Sequence, residues 1–185
     1  MYINRKVYLF ISFFTLVSTL TAGIREDVET LIHLKYGEDV ILEHRKLVIP
    51  KNIKNEIQVS VKQKFFRDEL HSWNISLNDS ICYTALLDNS LGKSMPITFL
   101  IILNDLGEIE HSEIIKYREP YGGEITSNSW TNQFVGSTTK SEFKVGRDID
   151  GISGATISVN SVTKGIHKLI LLYPSLKEHI RSCQP

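Results

Sequence analysis

Only two cysteines occur in the 185 residues, Cys82 and Cys183. Neither sits in a C-x-x-C or C-x-x-C-H pattern, and there is no H-E-x-x-H. Thioredoxin-like, c-type haem and zinc-protease chemistry therefore have no footing. In an exported chain the two could form one disulfide. The other reading makes Cys82 a core residue in an apolar run and Cys183 part of a terminal tail. Charge of one sign is also lacking: 21 basic and 21 acidic residues cancel. The basic surplus that marks a nucleic-acid partner is absent. No repeat or low-complexity segment appears. Gly92-Lys93-Ser94 lacks the upstream glycine and spacing of a P-loop and reads as a tight turn. The six histidines (His33, His44, His71, His111, His167 and His179) are each isolated, which suits surface or satisfied residues better than metal ligands or catalytic groups. No catalytic residue and no metal site are expected.

What is present is a globular composition, 42% hydrophobic and 23% charged, at a length that suits one domain. Arg5 and Lys6 precede an uncharged, apolar stretch at 7–22, and Arg25, Glu26 and Asp27 follow it. A basic start, an apolar middle and the small residues Thr21, Ala22 and Gly23 describe a secretory signal. The stretch is slightly short for a membrane span of about 20 residues, and an uncleaved membrane anchor is the alternative. Residues 1–23 are thus expected to export the chain, 24–75 to form a helical layer, and 76–185 to form the functional domain.

Helical spacing marks residues 26–35, stopped by Gly37, and residues 50–65, where Ile53, Ile57 and Val61 fall four apart. Phe65, Phe66 and Trp73 are expected to pack this layer on a sheet, or to touch a bound ring. Residues 80–88 read as a strand and 96–104 as a buried strand. Asp105-Leu106-Gly107 turns the chain into a third strand at 108–117, a hairpin signal. A Pro-Gly loop at 118–123, a short helix at 127–135 with Trp130 and Phe134 on one face, and a polar loop or edge strand at 137–147 come next. A helix at 158–172 follows, with an apolar stripe of Val159, Val162, Ile166, Leu169 and Tyr173. Pro174 is expected to end it, and residues 175–181 to form a last short helix. The fold class is α+β: a single domain with a mostly antiparallel sheet flanked by helices.

The most informative stretch is Asp150-Gly151-Ile152-Ser153-Gly154-Ala155-Thr156-Ile157-Ser158. It places one hydroxyl, that of Thr156, at the end of a small-residue turn, immediately before a long helix. Gly151, Gly154 and Ala155 remove bulk around Thr156, so a large planar or phosphorylated group can approach the backbone. The helix start supplies free N–H groups and the positive end of a dipole, which favour phosphate. A plain Gly-rich turn with Thr156 and Ser158 as helix caps is the alternative.

This stretch resembles the flavinylation motif of the FMN-binding domain family, D-x-x-[ST]-G-A-T, with Asp150, Ser153, Gly154, Ala155 and Thr156 on the motif positions. The resemblance extends upstream, over roughly residues 80–173. It takes in a strand, the turn Asn104-Asp105-Leu106-Gly107, a second strand, the loop Glu119-Pro120-Tyr121-Gly122-Gly123, and the helix carrying Trp130 and Phe134. The family's commoner loop is E-T-P-G-x-G, and this chain lacks the intervening threonine. By pattern the chain is similar to the FMN-bearing subunits of the Rnf and Nqr electron-transport complexes and to small exported FMN-binding proteins.

The resemblance implies FMN joined by a phosphoester to Thr156, attached by a separate flavin transferase that uses FAD and a divalent metal. It implies an electron carrier in the periplasm or on the outer face of the cytoplasmic membrane, exchanging electrons with membrane or periplasmic redox proteins. Residues 7–22 would supply any membrane association, and no nucleic-acid partner is expected. Asp150 would present the hydroxyl or the metal to the transferase, or else cap the turn. Ser153 and Ser158 would hydrogen-bond the phosphate. The ring would lie against Glu119, Pro120, Gly122 and Gly123, with Trp130 nearby. Glu119 would accept from a ribityl hydroxyl or a ring N–H, or else be surface charge. Two other readings stand beside this one: a small exported flavin reductase acting on a soluble acceptor, and an assembly module without cofactor.

Overall fold

The computed structural model describes residues 23–77, 81–177 and 180, the side chains of residues 81 and 82 excepted. The segment at 7–22, the pairing of Cys82 with Cys183, and residues 178, 179 and 181 of the short helix expected at 175–181 lie outside the described residues. The chain runs α1 (Ile24–Tyr36), β1 (Ile41–Val48), α2 (Lys51–Val61), β2 (Glu69–Leu77), β3 (Ile81–Leu91), β4 (Pro96–Asn104) and β5 (Ile109–Lys116). Then come a 3-10 turn (Gly123–Thr126), α3 (Asn128–Thr131), a second 3-10 turn (Asn132–Phe134) and α4 (Thr156–Leu176). The sheet is a five-stranded antiparallel meander in the order β1-β2-β3-β4-β5. The α+β expectation holds.

β4 explains the layering. Its side chains alternate across the sheet. Ile97, Phe99, Ile101 and Leu103 join one core with α2 and α4, while Leu100 and Ile102 join the other with Val28 and Ile32 of α1. A strand covered on both faces needs apolar residues at every position, which is why its sequence is a nearly continuous apolar run. The α4 side is tight. A Cβ on Gly165 would stand 2.5 Å from the Phe99 ring, so Gly165→Ala forces that ring aside at a cost of about 1–3 kcal/mol.

Several expectations need correction. Residues 24–75 are not a purely helical layer, because β1 and most of β2 lie within them and join the same sheet. β1 is an edge strand rich in charge and largely exposed, so it shows no clean alternation. The helix expected at 50–65 stops at Val61, where Lys62 turns left-handed with φ 55°. Phe65 enters the α4-side core, Phe66 is exposed, and Trp73 belongs to β2 and the opposite core. α4 starts two residues early and runs through Pro174 to Leu176. A proline in the last turn removes one helical hydrogen bond, while Tyr173 and Leu176 stay buried on either side of it. The histidines are not all isolated. His44 Nε2 lies 2.8 Å from His71 Nδ1 across β1 and β2, and burial holds both rings below the usual histidine range. They form a satisfied neutral pair.

Candidate functional site

The long helix begins in an unusual way for its length. Ala155 stands at its N-cap and no side chain caps it. The turn before it closes with the Ala155 N–H donating to the Ile152 carbonyl at 3.1 Å. Gly154 takes φ +78° in that turn, a conformation that suits glycine. Thr156 is the first helical residue and is exposed. Its hydroxyl therefore stands free beside the uncapped N–H groups of the first turn.

The segment just upstream is pinned by its backbone. The Trp130 Nε1–H donates to the Asp150 carbonyl at 2.9 Å, and the Asp150 N–H donates to Gln133 Oε1 at 2.7 Å. Trp130 is buried and meets Phe134 edge-on at 5.2 Å. The short α3 segment and the 3-10 turn after it thus fix where the Gly154 turn begins.

A second wall comes from the end of β5. Tyr117 donates its hydroxyl to the Tyr121 carbonyl at 2.6 Å and lies 3.2 Å from Ser158 Oγ. Gly122, at φ +80°, packs so closely that a Cβ there would sit 2.4 Å from that of Ala155. The loop and the helix start are in direct contact, and only glycine fits between them.

The third wall is the β3–β4 turn. Glu119 Oε1 accepts from the backbone N–H groups of Ser94 at 2.7 Å and Met95 at 3.0 Å. These two donors, Ser94 first, hold its carboxyl below the usual glutamate range. Gly92 makes this docking feasible, because a Cβ on it would meet Glu119 Oε1 at 2.5 Å. Arg118 reinforces the junction, its guanidinium donating to the Pro96 carbonyl at 3.0 Å.

Together these walls enclose an open cavity of about 590 Å³, within the roughly 300–1,000 Å³ usual for small-molecule sites. Of the residues expected from sequence, Glu119, Pro120, Gly122, Ser153, Gly154, Ala155, Thr156 and Ser158 line it. Asp150, Gly123 and Trp130 are not on its wall, although Trp130 holds the turn from beneath. Ser158 is buried against Tyr117 rather than displayed beside Thr156. Sequence reasoning missed Lys93, Ser94, Tyr121, Glu124 and Ile157 as lining residues. The available signal was the hairpin itself: in an antiparallel pair the turn before β4 must lie beside the loop after β5.

The arrangement fits a phosphorylated planar molecule. It offers the exposed Thr156 hydroxyl, a capless helix start, the cation of Lys93 and a cradle from which side-chain bulk is excluded. Residues 92–171 match the FMN-binding domain family. The FMN-binding match begins at Gly92 of the β3–β4 turn, spans the whole cavity and ends within α4. Two relatives agree with it. The chain is 23% identical to the G subunit of the ion-translocating oxidoreductase complex of Photorhabdus laumondii, over 90% of each chain. It is 29% identical to the G subunit of the Na(+)-translocating ferredoxin:NAD(+) oxidoreductase complex of Acetobacterium woodii, over 56% of this chain and 54% of that one. The cofactor that the FMN-binding domain supports is FMN. Among the described residues no helix is long and apolar enough to cross a membrane.

Proposed function

We propose that this protein is an exported electron carrier whose FMN is joined by a phosphoester to Thr156. The observation that carries the reading is the exposed Thr156 hydroxyl, set at the uncapped start of α4 inside the FMN-family cavity. In the attachment step, a flavin transferase with a divalent metal presents FAD to this hydroxyl. The Thr156 Oγ bonds to the flavin-side phosphorus, the pyrophosphate bond breaks, AMP leaves, and the hydroxyl proton passes to solvent or a transferase base. Asp150, exposed six residues earlier in a backbone pinned at both N–H and C=O, presents the hydroxyl or the metal to that enzyme.

Once attached, the phosphate would be held by first-turn N–H groups of α4, with Ser153 beside it. The Glu119–Gly123 loop would bear on the ring. FMN supplies the one- and two-electron chemistry; this chain's residues anchor it, shape its surroundings and leave one side open to partners. Membrane or periplasmic redox proteins would deliver and remove the electrons, as the complex membership of the two relatives suggests. A tether also prevents loss of the cofactor outside the cytoplasm, where free flavin is scarce.

Intact-mass measurement of protein made beside a flavin transferase tests this. The expected result is a gain of one FMN less one water, with yellow colour surviving denaturation. Thr156→Val removes both, and Thr156→Ser retains them. A denatured protein carrying no flavin defeats the covalent reading.

A further inference from the structure

Tyr121 is 80% exposed, and its side chain lies on the cavity wall. A large aromatic that exposed has given up most of the stabilisation that burial would bring. Nothing in the fold forces this exposure through the side chain. The residue's structural contribution is its carbonyl, which accepts from Tyr117. Ile157, at the helix start directly after Thr156, is likewise 53% exposed on the same cavity. Two largely apolar side chains thus stand open in one cavity, on its two opposing elements, beside the exposed Thr156 hydroxyl. Exposed apolar surface gathered in a cleft marks a ligand contact.

We infer that Tyr121 stacks on the isoalloxazine ring, with Ile157 packing beside it, so that the pair forms an apolar slot for the flavin. This rests on FMN being tethered at Thr156. The Tyr121 carbonyl is held by Tyr117 and the next residue, Gly122, presses against Ala155, so the phenol is carried by a fixed backbone. Offset stacking between aromatic faces is favourable beyond area burial. The phenol is also an electron donor to an excited flavin. One electron passes from ring to ring and returns, and the excitation is lost as heat. Stacking therefore has an optical signature separate from any carrier activity.

The test uses the full chain loaded with FMN, its loading checked by intact mass. Tyr121→Leu keeps the carbonyl that Tyr117 binds and alters an exposed side chain, so the fold is retained. Flavin fluorescence is expected to be weak in the parent protein, to rise several-fold in Tyr121→Leu, and to stay weak in Tyr121→Trp. Iodide, a small water-borne quencher, should reach the flavin more readily in Tyr121→Leu than in the parent. Equal fluorescence and equal iodide quenching in parent and Tyr121→Leu, with one FMN per chain by mass, overturns the stacking while leaving the covalent carrier intact. Absence of the FMN mass from the parent protein overturns both.

Discussion

The two ends of α4 are built oppositely. At the C-terminal end Tyr173 donates its hydroxyl to the Asn104 carbonyl at 3.3 Å, and Lys177 Nζ donates to the Asp105 carbonyl at 2.7 Å. Leu172, Tyr173 and Leu176 are buried there, and the β4–β5 turn closes onto the helix. At the N-terminal end the cap is an alanine, the first residue is exposed, and the N–H groups of the neighbouring β3–β4 turn are taken up by Glu119. The same sheet carries both turns, one at each end of β4. One helix end is tied to a turn of its own chain and the other stands open.

Substitutions at the open end should lower flavin loading, and those at the closed end should lower stability alone. The largest effect is expected from Gly122→Ala. A Cβ there meets Ala155 at 2.4 Å on a left-handed backbone. Strain of about 1–3 kcal/mol follows, with a sharp fall in flavin loading read by the ratio of visible to ultraviolet absorbance. Tyr173→Phe at the closed end is expected to lower stability by about 0.5–1.5 kcal/mol in denaturant melts and to leave loading unchanged. A loading defect in Tyr173→Phe with normal loading in Gly122→Ala would erase the contrast.

The smallest effect is a pH dependence. Glu119 is held below the usual glutamate range by the Ser94 and Met95 N–H groups. Its contribution to stability is therefore present above the ordinary glutamate pKa. It is lost as pH falls through the lowered value in the folded state. Melts between roughly pH 3 and pH 7 should show a shallower acid loss in Glu119→Gln than in the parent. An identical acid limb in both would mean that the clasp does not hold in solution.

Local chemistry was readable wherever it is written in consecutive residues. The turn ending at Thr156, the β4–β5 hairpin and the apolar stripe of α4 are short-range patterns, and the structure keeps all three. β1 was hidden because an exposed, charged edge strand has no apolar face to display. The pocket role of Gly92, Lys93 and Ser94 was hidden for a different reason. Those residues reach the site only because β4 lies antiparallel to both β3 and β5. Trp130 shows a third case. Its aromatic character drew it toward the ring, but its N–H and its burial commit it to holding Asp150.

By itself the amino-acid sequence determined the local chemistry on offer: the Thr156 hydroxyl, small neighbours and a helix start, all set by covalent order. Only the tertiary structure decided what surrounds that hydroxyl. The walls come from chain segments about 35 and 60 residues away, and their approach depends on strand pairing and on two glycines too small to block it.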